Sequence, residues 1–440
     1  MKNSRQFLFI AFLALLFTSS TNAQNPIIRD QFSADPTARV FNGKVYLFPS
    51  HDIIAPKDKN LRKDWFCMED YHVFSSDNLT DWTDHGVIVT QTEVPWLTRI
   101  NYDMWAPDCV SRNGKFYFYF PVGGRIGVAV AEKPEGPYTV QEKPIAGIGG
   151  IDPCVLFDKE GQAYIFTSQG RIIVAALKEN MVEIEGKSQT IANLPTKGLI
   201  EGPFAMELKG KYYLTYPHVE NKIERLEYAM ADSPMGPYKQ VGVIMDESTS
   251  GCWTNHHSIV QFNGQWYLFY HDRDYSPKFD KNRSVRVDSL FFNEDGTIQK
   301  VTPTLRGVGL TDAKKEIQID RYSHISNNGA SIAFLDTLNT FKGWKSILSK
   351  PDSWIQYNSV DFGSSKIKKV TVKAMSEKGS ILLIRQDNLQ GKIVAEIKIP
   401  AGADWKTVEA RVSKLQKGIH HLVLSSKDSG ITEIDWVTFK

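Results

Sequence analysis

Three acidic residues of this chain stand at matching places beside a proline. Asp35 and Asp152 each precede a proline directly, and Glu201 precedes one by two positions. A single Asp-Pro is a common turn dipeptide, but carboxyl groups gathered in one pocket repel each other and raise at least one pKa. A protonated acid can then stand beside an ionised base, which is the pair that acid–base catalysis requires.

A Gly-x-x-Tyr tetrapeptide indicates where these acids lie. In each copy the glycine turns the chain and the tyrosine begins an apolar, strand-like run. A proline stands seven or eight residues before the glycine in four copies, and His257 takes that place in the fifth. The copies begin at Gly43, Gly114, Gly161, Gly210 and Gly264. A fixed unit that recurs in this way indicates a repeat architecture.

The repeats predict an all-β fold that begins with a five-bladed β-propeller. Each unit continues through a turn into further short β-rich runs, and three or four strands per unit are typical of a propeller blade. Equivalent positions then lie on the innermost strand of each blade. Asp35, Asp152 and Glu201 are therefore predicted to face one axial funnel, together with Trp105 and His257.

Four segments are predicted along the chain. Residues 1–23 are a signal peptide, 24–305 the propeller, 306–316 a linker rich in glycine and charge, and 317–440 a second domain. The second domain lacks the tetrapeptide and shows short alternating apolar runs, which predict a β-sandwich of the jelly-roll kind.

The first 23 residues have the features of an export signal. Lys2 and Arg5 precede an apolar run from Phe7 to Phe17, and small residues lead to Ala23. This pattern predicts cleavage and a periplasmic or secreted protein. The run is too short to span a membrane as a helix.

The charge of the chain bears on its binding partners, and its cysteines bear on possible disulfides. The formal net charge is +2 and no block of basic residues is present, so the sequence gives no argument for nucleic-acid binding. Four cysteines in an exported protein allow three disulfide pairings or free buried thiols. The sequence does not decide between bridges and thiols.

The prolines and acids together resemble glycoside hydrolase family 43. The similar motifs are Ala34-Asp-Pro36, Met104-Trp-Ala-Pro107, Ile151-Asp-Pro153 and Glu201-Gly-Pro203. The resemblance implies a five-bladed propeller that hydrolyses glycosidic bonds with inversion, acting on arabinose-, xylose- or galactose-containing plant polysaccharides. It implies Asp35 as the general base, Asp152 as the modulator of the acid's pKa and Glu201 as the general acid, with no cofactor required for the chemistry.

Three further residues are predicted to bind substrate. The resemblance places Arg283 on the substrate side, where it would hold Glu201 or Asp152, although Arg286 is a rival two residues on. Trp105 has the ring to stack on a sugar, or it belongs to the core. His257 is a metal or water ligand beneath the sugar, or a buried polar group. The adjacent His256 leaves open which of the two rings is involved.

The C-terminal segment resembles carbohydrate-binding module family 6. The similar stretches are Asp352–Tyr357, Ala403–Trp405 and Gly430–Trp436. The resemblance implies a structural calcium near Asp320 and Asp435 and a glycan cleft in which Trp405 stacks. The family's ligand-contacting Asn is replaced by Glu433, so glycan binding and a purely structural role both stay open.

The predicted function is release of a terminal α-L-arabinofuranosyl or β-xylosyl residue from plant cell-wall polysaccharide. Alternatives are a galactan-directed exo-glycosidase, a glycan-binding propeller without catalysis, and a phosphorolytic enzyme. Binding alone does not require three acids at matching positions. Phosphorolysis needs a basic phosphate pocket, and no Arg or Lys cluster adjoins the three motifs.

Overall fold

The computed structural model describes residues 25–440 except 58, 60, 63, 274, 277, 305–306, 320–321 and 339–343. The predicted signal peptide therefore lies outside the described residues. Five small antiparallel sheets follow one another from residue 34 to residue 290, and each sheet keeps its strands in chain order. The prediction of an all-β fold with a five-bladed propeller is confirmed.

The strands of the blades have the following bounds. Blade 1 contains β1 (Ala34–Phe41), β2 (Lys44–Ser50), β3 (Asp70–Ser76) and β4 (Thr83–Thr90), with a short 3-10 helix at Gln91–Glu93 after it. Blade 2 contains β5 (Asp108–Arg112), β6 (Lys115–Val122), β7 (Arg125–Ala131) and β8 (Thr139–Val140). Blade 3 contains β9 (Ile151–Phe157), β10 (Ala163–Ser168), β11 (Ile172–Leu177) and β12 (Ile184–Thr190). Blade 4 contains β13 (Phe204–Leu208), β14 (Lys211–Val219), β15 (Glu224–Ala231) and β16 (Lys239–Met245), and blade 5 contains β17 (His257–Phe262), β18 (Gln265–Asp272) and β19 (Ser284–Leu290).

The recurring glycine lies in the hairpin between the first two strands of each blade. In blade 1 Asn42 and Gly43 both have positive φ, 51° and 78°, between the paired residues Phe41 and Lys44. Two such residues form the tight turn that suits a twisted hairpin. In blade 3 the turn is longer, because Phe157 pairs with Ala163. The longer turn explains the extra residue between proline and glycine in the third copy.

The ring of blades is closed by the segment that precedes β1. Blade 5 has three strands, and the N-terminal segment lies beside the third of them. Ile27 N donates to Val285 O at 2.9 Å, and the Asn25 side chain both donates to Val287 O (3.0 Å) and accepts from Val287 N (2.8 Å). The first and last blades are thereby joined, which fixes β1 next to β17 on the inside of the ring.

The C-terminal domain consists of two sheets, antiparallel except at one short edge strand, packed around an apolar core. One sheet contains β20 (Thr311–Asp312), β22 (His324–Ile325), β25 (Trp354–Asp361), β27 (Ser380–Gln386), β28 (Ile393–Ile399) and β30 (Ile419–Ser426). The other contains β21 (Ile317–Gln318), β23 (Ala330–Phe334), β24 (Trp344–Leu348), β26 (Lys369–Ser376), β29 (Gly402–Arg411) and β31 (Thr432–Phe439). Strand β20 lies within the predicted linker and pairs in parallel with β25.

The four cysteines are free thiols. Cys67, Cys109, Cys154 and Cys252 are all buried, which resolves the alternative that the sequence left open. Over the described part of the chain, no helix is long and apolar enough to cross a membrane.

Candidate active site

Asp35 and Asp152 occupy the same structural position in blades 1 and 3. Each residue has a positive φ, 47° and 55°, which is uncommon for a residue with a side chain and recurs at functional sites. The pairing of the first two strands shifts register at each aspartate. A serine at the end of the second strand donates to each carboxylate, Ser50 to Asp35 at 2.6 Å and Ser168 to Asp152 at 3.0 Å. The repeated bulge therefore turns both carboxylates towards the axis.

Arg283 binds Asp35 and a second carboxylate, Asp52. Its Nη1 and Nη2 donate to the two oxygens of Asp35 at 2.7 and 3.0 Å, and its Nε and Nη2 donate to the two oxygens of Asp52 at 2.9 Å. The Arg283 side chain is only 3% exposed. This contradicts the prediction that Arg283 holds Glu201 or Asp152. The rival residue, Arg286, forms an ion pair with Asp272 instead.

The arginine keeps Asp35 ionised. Burial alone would raise the pKa of this carboxyl, but the Arg283 guanidinium, together with the neighbouring side chains of His271, His256 and Ser50, outweighs burial and holds the pKa below its usual range. Behind Asp35, its backbone N–H donates to His271 Nδ1 at 3.1 Å. Burial lowers the pKa of His271 to about 3, so the ring is neutral and accepts this bond. Asp35 is thus an anion that can accept a proton.

Asp152 and Glu201 are joined through the backbone of Gly202. Asp152 Oδ2 accepts from the Gly202 N–H at 2.9 Å. Gly202 has a φ of +52°, and a Cβ there would lie 2.8 Å from Pro217 and 2.9 Å from His256. No side chain fits at this point, which explains the Gly in Glu201-Gly202-Pro203. Asp152 therefore fixes the peptide that carries Glu201.

Glu201 faces a fourth carboxyl group, that of Glu224. Glu224 opens β15, is 1% exposed and accepts from the Asn255 N–H at 2.7 Å. Burial and the charge of Glu224 raise the pKa of Glu201 well above its usual range. Burial raises the pKa of Glu224 to about 7. Burial and the charge of Glu201 also raise the pKa of Asp152. The carboxyl groups of Glu201, Glu224 and Asp152 therefore favour their protonated forms, whereas Asp35 favours its ionised form.

These acids line one cavity with a wall of aromatic rings. The lining residues are Asp35, Trp65, Phe66, Met68, Trp105, Ile151, Asp152, Glu201, Pro217, Glu224, Trp253, Thr254, His256 and Arg283. Phe66 packs against Trp65 and Trp253, with ring centroids 5.3 and 6.2 Å away. Trp105 Nε1 is buried and has no hydrogen-bond partner within the described structure. A flat apolar wall with a free polar atom suits a sugar ring.

His256 lines the cavity, and His257 does not. The prediction that His257 contacts substrate is therefore wrong, and the neighbouring His256 takes the predicted place. Successive residues of an extended segment point to opposite sides, and His257 is fully buried with its Nε2 2.5 Å from Thr215 Oγ1. Burial lowers the pKa of His256 to about 4, so it faces the cavity as a neutral ring.

Two buried oxygens, one on the lining residue Glu224 and one on Asn255 next to the lining residue His256, are suited to a cation. Glu224 Oε1 and Asn255 Oδ1 lack a hydrogen-bond partner among the described residues, and carboxylate and amide oxygens are the ligands that calcium prefers. A separate group, His51, Asp70 and His72, places three ligand atoms within 4.8 Å of one another. His51 Nδ1 is already 2.6 Å from Asp70, and this group lies outside the cavity lining.

The predicted glycan-binding and metal residues of the C-terminal domain lie at another groove. Trp405, half-buried within β29, lines it with Phe334, Lys373 and Asp435. Asp435 forms an ion pair with Lys373 at 2.7 Å, so a lysine balances its charge. The other predicted calcium ligand, Asp320, lies outside the described residues. Glu433, at the position of the expected Asn, pairs with Lys345 at 2.6 Å.

Sequence reasoning missed three residues of the cavity lining and Asp52, which binds the lining residue Arg283. Asp52, Glu224, Phe66 and Trp253 come from strand ends and long loops, where no repeated spacing marks them. The signal for Asp52 and Glu224 is chemical: each is an acid at the edge of an apolar strand, and a buried acid needs a partner. Trp65, on the long loop between β2 and β3, also lines the cavity, whereas His51 of the same loop does not.

Comparison with known proteins agrees with this geometry. A family model for the glycosyl hydrolases of family 43 matches residues 23–298, and one for carbohydrate binding module family 6 matches residues 336–440. A xylosidase/arabinosidase 43A of Humicola insolens is 35% identical over 331 residues, which cover 63% of this chain and 99% of that protein.

Solved structures resemble both the catalytic part and the whole chain. A family 43 β-xylosidase/α-arabinofuranosidase from a compost microbial metagenome, in a calcium-free form with xylotriose, has a TM-score of 0.57 at 33% identity. It covers 64% of this chain and 98% of its own. An arabinoxylan arabinofuranohydrolase of Bacillus subtilis has a TM-score of 0.60 at 24% identity over 95% of this chain and 97% of its own, which shows the two-domain fold alone.

We predict that Glu224→Gln moves the alkaline limb of the pH–rate profile to lower pH. Activity falls as pH rises through the pKa of the acid, and a neutral amide at 224 removes a like charge that raises the Glu201 pKa. The expected shift is about one pH unit. The measurement is kcat/KM against pH, with exposed Glu160→Gln as the matched control. An unmoved limb would show that Glu224 does not tune Glu201.

Proposed function

This chain belongs to family 43 of the glycosyl hydrolases, and on that premise we propose that it is an inverting exo-glycosidase that releases terminal α-L-arabinofuranosyl or β-xylosyl residues from plant cell-wall polysaccharide. One observation carries the proposal. Two carboxyl groups in the same cavity have opposite pKa shifts, downward at Asp35 and upward at Glu201. Inverting hydrolysis requires one ionised and one protonated carboxyl at neutral pH.

The proposed reaction assigns one role to each acid. Asp35 accepts a proton from a water molecule, and that water attacks the anomeric carbon. Glu201 donates its proton to the glycosidic oxygen as the bond to the leaving sugar breaks. Asp152 positions Glu201 through the Gly202 N–H, while burial and the charge of Glu224 favour the protonated acid. One water is consumed, and the net proton transfer is from Asp35 to Glu201 through solvent before the next cycle.

The sugar specificity is proposed from the cavity and from the names of the relatives. Trp65, Phe66 and Trp253 form a wall on one side of the acids, and such a wall suits the end of a chain better than its middle. The relative from Humicola insolens is named a xylosidase/arabinosidase. A galactan-directed exo-glycosidase stays the alternative, because the loops and not the acids select the sugar.

A bound calcium ion is compatible with the cavity. Glu224 and Asn255 would supply oxygen ligands, since each carries a buried oxygen without a partner among the described residues. Such an ion, when bound, would balance the charge of Glu224 and so favour an ionised carboxylate there. On this proposal, removal of Ca²⁺ by a chelator and its later re-addition each change the activity of the wild type. Neither step changes the activity of Glu224→Gln.

We further propose that the protein is exported and that its C-terminal domain contributes to glycan contact through the groove at Trp405. Export is supported by the pattern of residues 1–23, and N-terminal sequencing of the mature protein should begin at Gln24.

Glycan contact by the C-terminal domain, the second part of this proposal, is supported by a half-buried Trp in an open groove. Binding of xylan that Trp405→Ala does not weaken would remove the second part.

We predict that Asp35→Asn and Glu201→Gln each lower kcat by roughly 10²- to 10⁴-fold, the usual contribution of a general base or acid. Both changes keep the shape of the side chain, and Arg283 retains Asp52 as a partner in the first. Exposed Asp77→Asn is the control for a lost surface charge. Thermal unfolding of each variant checks that the fold persists. Full turnover by either variant would remove the mechanism.

We predict that the first product formed from an aryl α-L-arabinofuranoside or β-xyloside has the inverted anomeric configuration. Direct attack by water leaves no covalent sugar–enzyme intermediate, so the configuration changes once. Proton NMR during hydrolysis reads the anomer before it equilibrates. A matching aryl galactoside tests the alternative specificity. A retained anomer contradicts the mechanism, and turnover of the galactoside alone contradicts the proposed sugar.

A further inference from the structure

Four aromatic rings join the C-terminal domain to the propeller. We call Phe32, Tyr275, Phe334 and Trp344 the docking cluster. Trp344 and Phe334, from the C-terminal domain, stack with ring centroids 3.8 Å apart. Tyr275 of the propeller lies 4.4 Å from Trp344, and Phe32 meets both C-terminal rings edge-on at 6.0 and 6.2 Å. Phe32, Tyr275 and Trp344 are each at most 6% exposed.

Both propeller members of the cluster belong to segments that carry active-site residues. Phe32 stands three residues before Asp35, and the intervening Ser33 N–H donates to the Arg283 carbonyl at 3.0 Å. Tyr275 lies in the connection between β18 and β19, which ends at Arg283. The docking cluster therefore contacts both the segment that carries Asp35 and the segment that carries Arg283.

The connection from 273 to 283 has little regular structure of its own. Its described residues form successive turns, with Ser276 N donating to Arg273 O and Phe279 N donating to Ser276 O. At its far end, the Arg283 guanidinium lies 4.7 Å above the Phe66 ring in the cavity wall. A connection without a strand ladder depends on side-chain contacts for its position. Tyr275 against Trp344 is such a contact.

The ring contacts of the docking cluster stabilise the position of the connection from 273 to 283. Aromatic pairs stabilise a structure beyond the area that they bury, and buried Trp and Tyr residues dominate the energetics of interfaces. A displacement of about 1 Å at a reacting group lowers rates by roughly 10²-fold. Loss of the Trp344 ring would leave Tyr275 and Phe32 without their shared partner.

We infer that Trp344 is a positioning residue for the active site, so that the C-terminal domain is part of the catalytic apparatus and not only an attached module. Trp344 holds the segments of Asp35 and Arg283 through Phe32 and Tyr275. The inference rests on the proposed role of Asp35 as the general base. It concerns small soluble substrates as well as polysaccharide, because it does not depend on glycan binding by the C-terminal domain.

The test uses the full chain and a soluble aryl glycoside that the wild type hydrolyses. Trp344→Ala should lower kcat about ten- to a hundredfold with little change in KM. It should also move the acidic limb of the kcat/KM profile to higher pH. A less firmly positioned Arg283 stabilises the Asp35 carboxylate less, so the pKa of Asp35 rises. Trp344→Phe should restore most of the rate. Phe334→Leu, at a partly exposed ring, should give a smaller change in the same direction if Trp344→Ala does not fold.

Ile384→Val is the control, since Ile384 is buried in the sandwich core away from the docking cluster. It should lower the unfolding temperature and leave kcat and the pH profile unchanged. Wild-type kcat and an unmoved acidic limb in folded Trp344→Ala or Phe334→Leu would overturn the inference. An equal loss in Ile384→Val would also overturn it. An inactive wild type would instead overturn the proposed function.

Discussion

The pairing of Arg283 with Asp35 and Asp52 is the interaction on which the rest of the site depends. A buried guanidinium requires a partner, and breaking such a pair typically costs about 3–5 kcal/mol. Asp35 and Asp52 flank the first hairpin of blade 1, whereas Arg283 precedes the last strand of blade 5. The ion pairs therefore cross the junction at which the ring closes. The closure of the fold and the ionisation of the proposed base are fixed by the same contacts.

The cavity separates two kinds of carboxyl group by what surrounds each one. Asp35 has a cation and a serine hydroxyl within hydrogen-bond distance, so its charge is stabilised. Glu201 instead has the carboxyl group of Glu224 beside it, so burial and like charge favour its protonated form. Asp152 reaches Glu201 through a backbone N–H. The asymmetry of the cavity thus follows from the placement of Arg283 against Asp35 and of Glu224 against Glu201.

The second domain connects to this arrangement at the same junction. The docking cluster contacts the segment just before β1 and the start of the connection that ends at Arg283, and the ion pairs join these two segments. Apolar contact on the outside and charge pairing on the inside act on the same pieces of backbone. A small shift at either place is transmitted over a few residues, because close-packed interiors transmit strain. The two-domain arrangement is therefore relevant to catalysis as well as to attachment.

The sequence by itself determined the blades and the three acids at their inner strands. The hairpin turn at each Gly-x-x-Tyr sets the register of the first two strands, and this register places Asp35 and Asp152 on the axis. Only the tertiary structure decided which histidine faces the cavity, which carboxylates Arg283 binds, and that Glu224 adjoins Glu201. These contacts join strand ends and loops of different blades, where no local spacing constrains them. Repetition predicts equivalent positions, but partners across the ring depend on how the blades pack.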